Sequence, residues 1–178
     1  LHTAYRRQRQ MCIRDRDMDD EEIVFTVTTS LAGTFYLSGH VDRMNAHQMA
    51  LVQSGAEVAK ALRSDLTSQI PWWPKGLAGW DDEWVVTGRR KKSSRDGVII
   101  VWHRPSTEST VLDLPDLAGT HLEPLYPPAS LVPDPGIHIA DSSGSPRLSC
   151  PSPKPTGRVF RVRDLHDCVT DVAEMEKK

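Results

Sequence analysis

All thirteen prolines of this chain lie at or after Pro71, so a first stretch can hold unbroken helix and a longer second one is interrupted repeatedly. The break coincides with Pro71-Trp72-Trp73-Pro74-Lys75-Gly76-Leu77-Ala78-Gly79-Trp80-Asp81-Asp82-Glu83-Trp84, where four of the five tryptophans fall within thirteen positions. Helical structure is expected before this junction and strands after it, an α+β organisation divided at 17–70 and 71–163. With 178 residues, 38% of them hydrophobic and 26% charged, the chain can fold as one good domain or two small ones.

Ile23-Val24-Phe25-Thr26-Val27-Thr28-Thr29 is dense in β-branched and aromatic residues and reads as a strand, with a buried helix as the rival for so short an apolar run. Thr34-Phe35-Tyr36-Leu37 reads as a second short strand, entering a turn at Ser38-Gly39-His40. A helix is expected from Asn45, which can cap it while Gln48 reaches back to complete a capping box. Its apolar stripe is Met49, Val52, Ala56, Ala59, Leu62 and Leu66, and it should end near 67–69. Beyond the tryptophans, Trp84–Gly88 and Val98–His103 read as strands joined by a long connection over Arg89–Gly97. Further strand-length runs begin at Thr110, His121, Ile137, Arg147 and Arg158, the spacing of an antiparallel sandwich. Pro124 inside one of them predicts an edge strand or a bulge. Residues 164–178 read as a charged tail or weak helix.

A formal charge of -2 gives no global field to gather nucleic acid, and Arg89-Arg90-Lys91-Lys92 reads as a solvated hairpin tip. No apolar run approaches the roughly 20 residues of a membrane helix. Cys12, Cys150 and Cys168 are odd in number and far apart, which indicates neither a disulfide framework nor a zinc knuckle and suits a reducing compartment such as the cytoplasm. Residues 1–16 are arginine-rich and aperiodic. Arg7 to Arg16 resembles translated sequencing-adapter read-through from the end of a metagenomic reading frame, and a disordered basic arm is the alternative. On the first reading the natural protein is cut just upstream of Asp17.

No nucleophile elbow, phosphate-binding loop, dinucleotide fingerprint or metal-ligand spacing is present, so no cofactor and no metal are expected. Asp81-Asp82-Glu83 lies beside aromatics, as in sugar-processing sites, but it reads first as a polar turn between two buried tryptophans. Ser38 and His40, at a strand-to-helix turn, are the better candidates for a place near a ligand, because such turns form the mouths of α/β barrels. A hydrogen-bonded structural histidine is the plainer role for His40.

Three blocks, Gly33–Gln48, Pro71–Val85 and Val98–Arg104, resemble in order and spacing the C-terminal part of bacterial α-galactosidase-type glycoside hydrolases (family 36, clan D), along residues 17–162. The resemblance implies the last βα unit of a (β/α)8 TIM barrel over 17–70, followed by a C-terminal antiparallel β-sandwich. It also implies a retaining hydrolase of terminal α-D-galactosides that uses two aspartates about 5 Å apart. Neither aspartate motif matches a position here, so no catalytic residue is carried over, and this piece alone is expected to be inactive, its carbohydrate substrate being bound through the missing barrel. Lys75 departs from the family's usual apolar residue, and Arg89–Arg95 is more basic than typical. The rival expectation is a complete, non-catalytic carbohydrate-binding or interaction module whose tryptophans stack on sugar. Burial of Trp72, Trp73, Trp80 and Trp84 discriminates between the two, and the oligomeric state stays open.

Overall fold

The computed structural model describes residues 12–13, 18–39, 41–105, 111–142 and 144–165. The first described strand is β1 (Cys12–Ile13) and the first helix α1 (Asp20–Leu31). The strand expected over Ile23–Thr29 is therefore part of a helix. Asp19 caps it by accepting from the Glu22 amide while the Glu22 carboxylate accepts from the Asp19 amide, and Asp20, Glu21 and Glu22 place negative charge on its first turn. Ile23, Val24, Val27 and Leu31 are fully buried on one side of the helix. The β-branched composition is overridden because this apolar face has a core to enter.

Thr34–Leu37 forms no ladder, and only β2 (Ser38–Gly39) pairs, in parallel with β1. A single 3-10 turn at Val41–Arg43 leads to α2 (Ala46–Arg63), where Asn45 and Gln48 form the reciprocal capping box expected from the sequence. The helix stops a few residues earlier than its apolar pattern suggests. Its buried residues are Gln48, Leu51, Val52 and Gly55, a stripe rotated relative to the expected one. Gly55 explains the rotation: a Cβ there would lie 2.3 Å from Val27 Cγ1, so α1 and α2 meet where only a glycine fits.

Eight further strands follow. They are β3 (Gln69–Trp72), β4 (Trp84–Lys91), β5 (Gly97–His103), β6 (Val111–Asp113), β7 (Thr120–Tyr126), β8 (His138–Ser142), β9 (Ser145–Ser149) and β10 (Thr156–Asp164). They form two antiparallel sheets, one ordered β3-β4-β5-β10-β7 and one ordered β6-β9-β8. The basic run expected at a hairpin tip lies mostly in β4, because that strand continues to Lys91 and pairs Arg89 and Arg90 with Val98 and Gly97. β3 occupies an edge of the large sheet and runs through Pro71, a position the sequence marked only as a junction. β7 is the opposite edge, and the register slips where Phe160 meets Pro124, so both consequences expected of that proline are present.

The large sheet is buried on both faces. Val98 and Ile100 of β5 join Ile23, Val24, Val27, Leu51, Val52 and Val159 under the two helices. Ile99 and Val101 point the other way, into a core with Leu112, Leu114, Leu117, Leu148, Phe160 and Val162 beneath the smaller sheet. Such alternation is why β5 reads as a continuous apolar run rather than as every second residue. Each fully buried aliphatic side chain contributes roughly 1.5–3 kcal/mol relative to exposure, so this central strand anchors both cores at once. The molecule is thus α+β, with helices on one face of a sheet whose other face forms a sandwich-like pair. Among the described residues no helix is long and apolar enough to cross a membrane.

Candidate functional site

The segment joining β3 to β4 holds most of the tryptophans, and its base is closely tied. Pro74 is buried and Gly76, at φ 90°, donates its N–H to the Trp73 carbonyl over 2.8 Å, a turn a residue with a Cβ adopts only under strain. Lys75 Nζ donates to Asp82 Oδ2 at 3.0 Å, and this bond, with help from the Gly79 amide, holds the Asp82 carboxyl below its ordinary range. Arg104, just past β5, donates from Nη1 to the Trp80 carbonyl at 2.6 Å and from its backbone N–H to the Glu83 carbonyl at 2.8 Å. Lys75, the departure from the resembling family, therefore has a structural partner on the same loop.

The tryptophans divide sharply. Trp84 is 4% exposed and packs against the His103 ring, with centroids 4.5 Å apart. Trp72 is half-buried against the inter-sheet core, with the Arg90 guanidinium 5.8 Å from its ring. Trp73 is 45% exposed and Trp80 is 90% exposed, so the acidic triplet is not a turn between two buried indoles. Asp81 is exposed, Asp82 pairs with Lys75, and Glu83 Oε1 lies 2.9 Å from His103 Nε2. Three neighbouring carboxylates thus have three different environments. The Glu83–His103 pair sits at the buried end of the loop, where it joins the end of β5 to the start of β4.

The expected ligand-proximal residues are elsewhere. The Ser38 backbone pairs with Cys12, and His40 lies outside the described residues. Nearby, a cleft of about 550 Å3 opens between the end of α1, α2 and β4, floored by Leu31, Phe35, Ala59 and Leu62 and rimmed by Arg63 and Arg89. Arg89 Nη2 donates to the Leu31 carbonyl at 3.2 Å, supplying the cation that the last turn of α1 lacks, and burial lowers the pKa of its guanidinium. Cys150 is buried, and that burial raises its thiol pKa, which disfavours the thiolate needed for nucleophilic attack. Among the described residues no group of three or more His, Cys, Asp or Glu side chains is placed to hold a metal ion.

Sequence reasoning missed Arg104 as the strut of the tryptophan loop and the outward setting of Trp80. The available signal was the pair of glycines, Gly76 and Gly79, between Trp73 and Trp80, which favours a projecting turn over a packed strand. No family model, no curated protein and no solved structure matches this chain.

Proposed function

We propose that this chain is the C-terminal part of an α-galactosidase-type retaining glycoside hydrolase, whose complete form removes terminal α-D-galactosyl groups with two aspartates contributed from upstream of Asp17. One observation carries the reading: the antiparallel layers that follow Trp84 have the sandwich-like arrangement that the resemblance implies for that family's C-terminal part, and the capped helix α2 precedes them where it implies the last barrel helix. Barrel enzymes place substrate at strand-to-helix turns, the position that the resemblance gives to Ser38-Gly39-His40. In this reading Ser38 and His40 are the positions nearest the substrate, α2 is the helix of the last barrel unit, and the antiparallel layers form the terminal sandwich. The order of the three resembling sequence blocks supports the same assignment.

The reading makes the chain a carrier of architecture rather than of acid–base chemistry. Expressed alone, the 178-residue chain leaves an aryl α-galactoside uncleaved. Joined to its own upstream reading frame, it hydrolyses that substrate with retention at the anomeric carbon, as followed by proton NMR. Turnover by the isolated chain, or a folded extended protein without α-galactosidase activity, would overturn the assignment.

A further inference from the structure

We propose that the loop between Trp72 and Trp84 is a saccharide-binding platform, in which the Trp80 indole stacks on the apolar face of a pyranose and the adjacent Asp81 carboxylate accepts hydrogen bonds from its hydroxyls. The platform rests on the Trp72–Trp84 loop alone and does not depend on the substrate position assigned above.

The Trp80 carbonyl is held by Arg104 at 2.6 Å, yet its side chain is 90% exposed. The loop around it is fixed by the Lys75–Asp82 pair, the Gly76 turn and buried Pro74. Because the backbone beneath the indole is already tied, a ligand that settles on it has chiefly two side-chain torsions to restrain. Large aromatic side chains are ordinarily packing material, and a nearly bare one on a tied loop is the exception that points to a partner.

The chemistry around the indole selects the partner. Asp82 is paired with Lys75, and Asp81, the next residue after Trp80 in the chain, is exposed and can accept hydrogen bonds. A flat apolar surface next to an acceptor matches a neutral polyol with one face of C–H groups, which describes a pyranose. A stable protein partner would need on the order of 1,000 Å2 of complementary surface. Here the strongly exposed large apolar residues of the loop are Trp73, Leu77 and Trp80, and the others among the described residues lie on different elements. A small ligand fits that area better than a second macromolecule does.

The test uses the full chain labelled with 15N at the tryptophan indoles, with the five cross-peaks assigned by single substitution to Phe. On titration with methyl α-D-galactopyranoside and with raffinose, the Trp80 cross-peak shifts with a saturable dependence, while the Trp84 peak stays in place. Trp80→Ala weakens binding by at least about tenfold, equivalent to about 1.4 kcal/mol, and Asp81→Asn weakens it less. Retained dispersion of the remaining indole peaks shows that each variant is folded. A Trp80 peak unmoved by either sugar, shifts that survive Trp80→Ala, or a Trp80-dependent self-association indifferent to sugar would each overturn the proposal. Hydrolysis by the upstream-extended enzyme is read separately, so either reading can fail without the other.

Discussion

Arg158 and Glu21 are joined by two hydrogen bonds, 2.6 Å from Nη1 to Oε1 and 2.9 Å from Nη2 to Oε2, which fasten the last strand of the large sheet to the first turn of α1. The Arg158 side chain is 5% exposed and also donates from Nε to the Pro135 carbonyl at 2.6 Å, so its charge is committed inside the protein. A bidentate pair of this kind specifies how the helix layer sits on the sheet, because neither partner has an equivalent position to move to.

Glu21→Ala leaves that guanidinium without its carboxylate in a site it cannot leave cheaply. The expected loss is roughly 2–3 kcal/mol, below the full cost of breaking a buried pair because Glu21 is partly solvated. Urea unfolding followed by far-UV circular dichroism measures it. A loss under about 0.5 kcal/mol would mean that the pair behaves as a surface ion pair.

Gly55→Ala should also destabilise, although alanine is the better helix former by about 1 kcal/mol. The added Cβ would lie 2.3 Å from Val27 Cγ1, which belongs to the facing helix and is itself buried. Overpacking at such a contact costs about 1–3 kcal/mol, enough to reverse the propensity gain. Val27→Ala in the same background should recover part of the loss, and the recovery measured in a double-mutant cycle reports the contact.

Tyr126 donates its phenol to the Leu51 carbonyl at 3.2 Å, linking the edge strand β7 to α2. Burial raises the pKa of the phenol far above the ordinary 10.0, so it stays neutral in the folded state while an unfolded chain ionises. The contribution is therefore complete below about pH 10 and lost as pH rises further. Tyr126→Phe should cost about 0.5–1.5 kcal/mol at neutral pH and should flatten the alkaline limb of the stability curve. An ultraviolet titration in which all tyrosines ionise together, at their ordinary pKa and with the fold intact, would contradict this.

At the acid end the sign reverses. Burial acts to raise the Asp96 pKa, but the Asp164 amide at 2.8 Å and the Lys91 ammonium at 2.9 Å outweigh it and hold the carboxyl below 3.8. Asp19 is lowered too, chiefly by its hydrogen bond from Lys154 and then by the Glu22 amide. Both contribute stability present above pH 3.8 and lost as pH falls through their lower folded values. Asp96→Asn should leave a shallower acid limb in urea midpoints measured against pH, and an unchanged slope would count against the assignment.

The residues themselves determined what depends on neighbours a few positions away. Asn45 and Gln48 start α2, Val98–His103 must be a strand, and Pro124 must sit at an edge or a bulge, because capping geometry and ladder hydrogen bonding are local requirements. The Asp19–Glu22 box was as legible as the Asn45–Gln48 box, yet the β-branched run after it favoured a strand. Only tertiary structure resolved that conflict, since Ile23, Val24, Val27 and Leu31 share one side of a helix and find a sheet to cover. Likewise, sequence could place four tryptophans together but not separate Trp84, at 4% exposure, from Trp80, at 90%. The burial of Trp84 depends on His103 arriving from a strand some twenty residues later, and composition carries no record of that distance in space.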